Sequence, residues 1–359
     1  MIYAFSISLI VFNVLISLLK IKNKKIQLFF KSIILFFMWI LYWGNYTSAD
    51  YDNYKWLYKS LATSSEWIIG NQPGFAIFMK IGSILNLDYN QFLLVVSFIS
   101  FWLIIFTVEK YSHESNIVYV FYFISPFILD VVQVKHFLSM SIIIYSLKYL
   151  EKRNLKNDIK FVIMIFLAMS IHYVALFFLP LVLLNKIKPE QIKLIVLSLF
   201  IALSIFVITG VFKDVVYLLF NPQKMDRYFL INPSFGVLFV YIVQSFIIFS
   251  IILLKKFLNQ KKISNNFINL VYKINIYSFL LFPLYFINVA FIRGFRILMI
   301  PNYIFISYSL NLMNNRNRII IIFFSFLFIL FLLFFFSLGS SFKNSLIPIF
   351  ENNLIFDLL

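Results

Sequence analysis

The chain has 359 residues, 62% of them hydrophobic and only 13% charged, with a formal net charge of +17. So little polar side chain cannot clothe a water-soluble globule of this length, which predicts an all-α, polytopic integral membrane protein. The Lys and Arg residues sit in short clusters between apolar runs, as membrane anchoring requires, so nucleic acid is excluded as a partner. The absence of Cys removes disulfide frameworks and thiol chemistry.

In chain order, apolar runs long enough to cross roughly 30 Å of hydrocarbon fall near residues 2–19, 26–44, 91–108, 192–210, 236–254, 273–291 and 319–337. Shorter runs near 117–130, 137–150 and 297–312 require tilt or local thinning to cross. The first run is read as a span and not a cleaved signal, because no basic segment precedes it and no small-residue cleavage site follows it. The basic linkers are Lys20 with Lys22, Lys24 and Lys25; Lys152 with Arg153, Lys156 and Lys160; Lys186 with Lys188 and Lys193; Lys255 with Lys256, Lys261 and Lys262; and Arg316 with Arg318. Placing all of them on the cytoplasmic side gives about ten crossings, with both termini outside.

One stretch resists that scheme. Residues 161–184 begin after one basic linker and end before another, so a single crossing there would invert everything downstream. A hairpin of short helical segments with its apex near His172 removes the conflict. Broken helix at membrane depth is tolerated only where it is buried in protein or lines a wet cavity. His172 is therefore either a satisfied core residue or part of a site. The chain reads as a single multi-span domain, 1–359, with outer-face loops at 45–90, 130–136 and 211–235.

Chemistry collects on the outer side. Asp50 and Asp52 lie among Tyr46, Tyr51, Tyr54, Tyr58, Trp43 and Trp56, either an interfacial aromatic belt or rings that stack on sugars beside a carboxylate. Gln72-Pro73-Gly74 opens an amphipathic stretch, Phe75–Leu85 with Lys80 inside it, too short to span and expected in the interface. In the turn from Asp130 to His136, the short flanking runs place Lys135 and His136 below the outer water level. A charge held there marks a functional site, unless Lys135 snorkels outward. The loop 211–235 carries Asp214, Asp226 and Arg227. Arg293 and Arg296, three apart, lie outside against the positive-inside bias, and their forks suit a diphosphate or a phospholipid head group. No P-loop, dinucleotide glycine pattern or GxSxG elbow occurs, and the three His lack metal-ligand spacing, so no cofactor and no metal is expected.

The segments YWGNYTSADYDNYKWLY, QPGFAIFMKIGSILNL, VVQVKHFLSMSIIIYSLKYLEKRNLK, FVIMIFLAMSIHYVALFFLPLVLL and NVAFIRGFRILMIPNY, in this order and spacing, resemble the EpsG family of Wzy-like bacterial polysaccharide polymerases. The family commonly has Glu where this chain has Gln72, and Arg-Gln where it has Lys135-His136, so the carboxylate is lost at 72 and the cation is kept at 135. The family's hairpin His matches His172, its Asp-rich loop matches Asp50 and Asp52, and its late Arg matches Arg293 or Arg296.

The resemblance implies an enzyme of capsule, exopolysaccharide or O-antigen assembly in the bacterial cytoplasmic membrane, with its active face outward and a GT-C-like architecture. Such an enzyme joins undecaprenyl-diphosphate-linked oligosaccharides by glycosyl transfer. Its partners are these lipid-linked glycans, membrane lipid, a flippase and a chain-length regulator. Asp52, Asp50, His136 or His172 would be the base; Arg293, Arg296 and Lys135 would hold the diphosphate; Tyr51, Tyr54, Trp56, Gln72 and Arg227 would contact substrate. Two other classes compete. A flippase of the same glycans would line a path open to both faces, often in a repeat-built bundle, whereas the polar residues here cluster on one face. A ligase or other glycosyltransferase on the same lipid-linked glycans stays open.

Overall fold

The computed structural model describes residues 2–65, 67, 72–219, 236–337 and 342–358. Among them every regular element is helical, and the sole β contact is an isolated bridge between Asn45 and Asn353. The chain divides into two compact units. One comprises Met1–Ser146, Ile163–Leu176 and Tyr303–Leu359; the other comprises Leu147–Val162 and Phe177–Asn302.

The first unit opens with α1 (Ile2–Leu18) and α2 (Lys24–Trp43). Asn23 caps α2 by accepting hydrogen bonds from the Lys25 and Ile26 amides at 2.9 and 3.4 Å, which satisfies donors the helix cannot. Next come α3 (Tyr51–Thr63) and α4 (Pro73–Ile84), which pack on each other, and α5 (Tyr89–Tyr111), started by an Asp88–Gln91 capping box. Three short helices follow, α6 (Ser115–Ile124), α7 (Phe127–Val132) and α8 (Val134–Ser146). They are apolar on nearly every face and buried on nearly every face, so they form the centre of this unit. The chain then enters α9 (Leu155–Ile171).

At His172 the chain turns back through a 3₁₀ segment, Tyr173–Phe178, into α10 (Leu181–Leu184). Within the second unit, Lys186 Nζ lies 2.7 Å from Asp158 Oδ2, and Asn185 Nδ2 donates to the Leu150 carbonyl at 2.6 Å. The return arm thus ends beside the start of the outgoing one, as the charge pattern around 161–184 demands. The two arms are unequal: the outgoing one is a 17-residue helix, and only the return is broken. Lys273, 2% exposed, fixes that return by donating to the carbonyls of Asn185 and Ile187 at 2.8 and 2.5 Å. The second unit continues with α11 (Pro189–Ile208), α12 (Val211–Leu219), α13 (Gly236–Gln260), α14 (Asn266–Tyr277), α15 (Phe282–Ile287) and α16 (Ile292–Arg296). Buried amides tie these helices: Asn275 and Asn302 exchange hydrogen bonds at 2.6 and 3.1 Å, and Gln244 donates to the Ser278 carbonyl at 2.9 Å while accepting from Tyr285.

The chain ends with α17 (Met299–Leu310), α18 (Asn315–Ser337) and α19 (Ile347–Glu351). Among the described residues six helices are long and apolar enough to cross a membrane: Lys24–Trp43, Tyr89–Tyr111, Gln191–Ile208, Gly236–Gln260, Asn266–Ile287 and Asn315–Phe335. A seventh span results if Val289–Arg296 and Met299–Leu310, bent by 42°, count as one. This is a multi-pass membrane architecture, but α1, α6 and α8 are shorter than a full crossing, so the long spans alone fall below the about ten crossings expected from the apolar runs.

Contacts at the two ends of the first unit sort its helices. At one end Tyr3 donates to Glu351 at 3.0 Å, Asn45 donates to the Pro348 carbonyl at 3.1 Å, and the Leu354 amide donates to the Gly44 carbonyl at 2.9 Å. The C-terminal segment therefore meets both the start of α1 and the Asn45 segment. At the other end Lys31 pairs with Glu109 at 2.7 Å, and Arg318 grips both carboxylate oxygens of Glu114 and the Ser17 carbonyl. In the sequence Arg318 is only one of a basic pair with Arg316; it is 1% exposed, because its fork has two partners to match inside the protein. Arg318→Met should therefore cost about 3 to 5 kcal/mol by stranding Glu114, and the double variant with Glu114→Gln should cost less. Thermal unfolding in detergent measures both, and equal losses would contradict the pairing.

Candidate functional site

The turn between α7 and α8 carries a buried polar cluster. Asp130 and His136 are 0% and 1% exposed, with Asp130 Oδ1 at 3.6 Å from His136 Nδ1. The other carboxylate oxygen of Asp130 accepts from the Tyr122 hydroxyl at 3.1 Å. Beside His136 lies His172, half-buried at the end of α9, with ring centroids 5.6 Å apart and planes at 88°. The Val174 amide donates to His172 Nδ1 at 3.2 Å.

Two contacts hold the end of α9 against this turn. Ser139, one turn along α8 from His136, donates to the Ala168 carbonyl at 3.0 Å, one turn before His172. From the other side α4 presses Gly74 onto Ser170: a Cβ at position 74 would stand 2.1 Å from Ser170 Oγ and 3.1 Å from its backbone carbon. The Gln72-Pro73-Gly74 signal thus has a mechanical reading. Pro73 starts α4 where no amide is needed, and Gly74 lets the two helices touch at the histidine. Gln72 is the half-buried N-cap residue and makes no side-chain capping bond.

Lys135 is half-buried and does not run to the surface. Its Nζ lies over the rings of Phe75 and Tyr54, at 5.1 and 5.4 Å from their centroids, a geometry in which the ring faces attract the cation. Tyr54 and Lys135 are therefore brought together beside the histidine turn. Tyr51 donates to Asn90, whose amide holds the Trp43 carbonyl at 2.8 Å, and Tyr58 donates to the Leu87 carbonyl at 2.8 Å. Burial first, then the Asp88 and Asp52 charges, pushes the Tyr51 phenol up to about 12; burial and Asp88 do the same for Tyr58. Both stay protonated at physiological pH and act as donors. Lys80 donates to the Leu61 and Ser64 carbonyls at 2.9 and 2.6 Å, closing the C-terminal end of α3.

The remaining expected residues are spread more widely. Asp52 is exposed, Asp50 is half-buried, and Trp56, 71% exposed, projects from α3. Arg293, half-buried, and Arg296, 7% exposed, share the short helix α16 in the second unit. That unit also has an open apolar groove of about 370 Å³ lined by Phe200, Val207, Tyr241, Phe282 and Phe286. Arg227 and Asp226 lie outside the described residues.

A family model, the EpsG family, matches residues 28–349. The chain belongs to the EpsG family. No curated protein and no solved structure matches it. The match reaches into both units, and the histidine turn, the Gly74 contact and the arginine helix all lie within it. Tyr122 is not singled out in the sequence, and Asp130 enters there only as the start of its turn, although a carboxylate in an apolar run is itself a signal. Ser139 and Ser170 give no such signal, since a lone Ser in a helix is ordinary.

In this EpsG-family chain, Gly74→Ala should destabilise the α4–α9 contact by about 1 to 3 kcal/mol and displace His172. Adding Ser170→Gly should return part of the loss, since only the backbone contact would remain. Activity and unfolding temperature of the single and double variants measure this; a fully tolerated Gly74→Ala would sink the contact's role.

Proposed function

We propose that this EpsG-family chain is a polysaccharide polymerase that joins undecaprenyl-diphosphate-linked oligosaccharide repeat units at the outer face of the bacterial cytoplasmic membrane, serving capsule, exopolysaccharide or O-antigen assembly. Membership of the family supports a Wzy-like polymerase. The observation that carries the reading further is the buried Asp130–His136–His172 cluster beside a cation held over aromatic rings. In this reading α1, α6 with α7, and α8 cross together with the six longer helices and the bent pair, for about ten crossings in a GT-C-like arrangement with the Asn45 end outward, while α9 and its return form the hairpin at His172.

The chemistry is a glycosyl transfer. The bond from the sugar's anomeric carbon to the diphosphate oxygen breaks, its electron pair leaves with the diphosphate, and a hydroxyl of the next lipid-linked unit forms the new bond as its proton passes to a base. Charge grows on the leaving oxygen, so fixed cations lower the barrier more than they tighten ground-state binding. Arg293, Arg296 and Lys135 are the cations for that task. The apolar groove of the second unit suits a prenyl chain. Asp50, Asp52, His136 and His172 are the candidate bases, and Tyr51, Tyr54, Trp56 and Gln72 the candidate sugar contacts. A flippase and a chain-length regulator would work beside the chain.

Deletion separates the polymerase from the flippase. A strain lacking the chain should accumulate single repeat units on the lipid carrier, exposed at the outer leaflet. Units trapped at the inner leaflet would point to a flippase and overturn the proposal.

A further inference from the structure

The stretch that joins α2 to α3 carries backbone groups that it does not satisfy by itself. A helix leaves its last carbonyls without helical partners, and buried carbonyls must be met from elsewhere. Two other parts of the first unit meet them. The Asn90 side-chain amide donates to the Trp43 and Asn45 carbonyls at 2.8 and 3.3 Å. The segment after α19 supplies more: Asn353 Nδ2 donates to the Ile40 carbonyl at 3.1 Å, the Leu354 amide to the Gly44 carbonyl at 2.9 Å, and Asn352 Nδ2 to Thr47 Oγ1 at 2.7 Å. In return Asn45 Nδ2 donates to the Pro348 carbonyl at 3.1 Å and the Tyr46 amide to the Asn352 carbonyl at 3.4 Å.

Asn353 sits at the middle of these contacts. It is 0% exposed, and its amide oxygen accepts from the Ile355 amide at 3.1 Å, so both ends of the side chain are engaged. Gly44 lies against it: a Cβ there would stand 2.4 Å from Asn353 Oδ1 and 2.8 Å from its Cγ. The buried Ile349 anchors α19, as does Phe350, whose ring centroid lies 5.4 and 6.4 Å from those of Tyr3 and Phe123. The family match ends at residue 349, so Asn353 lies beyond it.

What these contacts hold is the entry to α3. Asn45 Oδ1 accepts from the Ser48 amide at 3.0 Å, and the Ser48 carbonyl accepts from the Tyr51 amide at 2.8 Å. Asn90, which holds the Trp43 and Asn45 carbonyls, also accepts from the Tyr51 hydroxyl. The far end of α3 is held separately, by Tyr58 and Lys80. Its first turn carries Tyr54, one of the two rings over which Lys135 rests.

We infer that residues 347–357 are a strap that sets the first turn of α3, with Asp50, Asp52 and Tyr54, against the Lys135 turn, and that Asn353 is a positioning residue of the candidate site, acting through residues 44–48. The inference rests on the polymerase reading for its effect on rate, and on the contacts alone for the strap.

The chain has no Cys, so a thiol pair placed in the strap is unique. Thr47→Cys with Asn352→Cys replaces the 2.7 Å contact by a disulfide that diamide forms and dithiothreitol breaks. In full-length protein in lipid vesicles, Asn353→Ala should slow polymer formation about tenfold to a hundredfold, in kcat and not in KM for the lipid-linked unit. Hydrogen exchange should rise in peptides covering residues 46–55 and stay unchanged in those covering 59–63. Adding the thiol pair to Asn353→Ala should return rate and protection on oxidation and lose both again on reduction, in the same inserted protein. Wild-type exchange at residues 46–55 in Asn353→Ala overturns the inference, as does faster exchange with an unchanged rate, or a formed disulfide that restores neither. Exchange that responds as expected in a chain whose wild type polymerises nothing fails the polymerase reading and leaves the strap standing.

Discussion

A polar group carried into apolar surroundings must find its partner on another element, and the architecture of this chain depends on how that demand is met. Apolar helix faces are nearly interchangeable, and packing Phe against Ile leaves register open. The polar pairs close it. Asn116 donates to Asn13 at 2.7 Å and ties α6 to α1. Asn275 and Asn302 lock two helices through paired amides. Arg318 fastens the start of α18 to Glu114, and Lys273 collects the loose carbonyls that the broken return arm leaves behind. Each would cost several kcal/mol if stranded, so each selects one arrangement from many.

The same demand builds the site. Asp130, His136 and His172 are carried to the centre of the first unit by helices that break just where these residues occur, between α7 and α8 and at the end of α9. The break at the end of α9 leaves the Val174 amide to bond His172, and the Ala168 carbonyl, which already accepts the His172 amide at 2.8 Å, also receives Ser139. Lys135 completes the arrangement by resting over Phe75 and Tyr54, so α3 and α4 are fastened to the histidine turn through a cation and two rings. The motifs around Tyr54, Phe75 and Lys135, which look separate in sequence, are in this sense one assembly within the first unit.

Much of this was legible in the sequence. Hydrophobic content gives the class, and the basic linkers on both sides of residues 161–184 require the reversal at His172. The short runs around Asp130–His136 foretell burial of that turn. The pairings inside it were not legible, because they join residues on separate helices whose relative rotation no local pattern reports. Arg318 illustrates the limit: in sequence it is one of a basic pair with Arg316, and only the fold brings Glu114 to its fork. Gly74 is similar, since a Pro-Gly pair reads as a helix start, while its contact with Ser170 depends on the path of α9. The span count is legible only in part: six helices, or seven with the bent pair, are long and apolar enough to cross among the described residues, and hydropathy does not distinguish a crossing from a buried helix such as α6.

The most direct test of the account is reconstitution. Purified chain in lipid vesicles, given lipid-diphosphate-linked repeat units and no nucleotide sugar, should convert them to a ladder of longer glycans with release of the lipid diphosphate, and vesicles without the chain should not. A ladder that requires a nucleotide sugar, or no ladder from chain inserted in the vesicles, would contradict it.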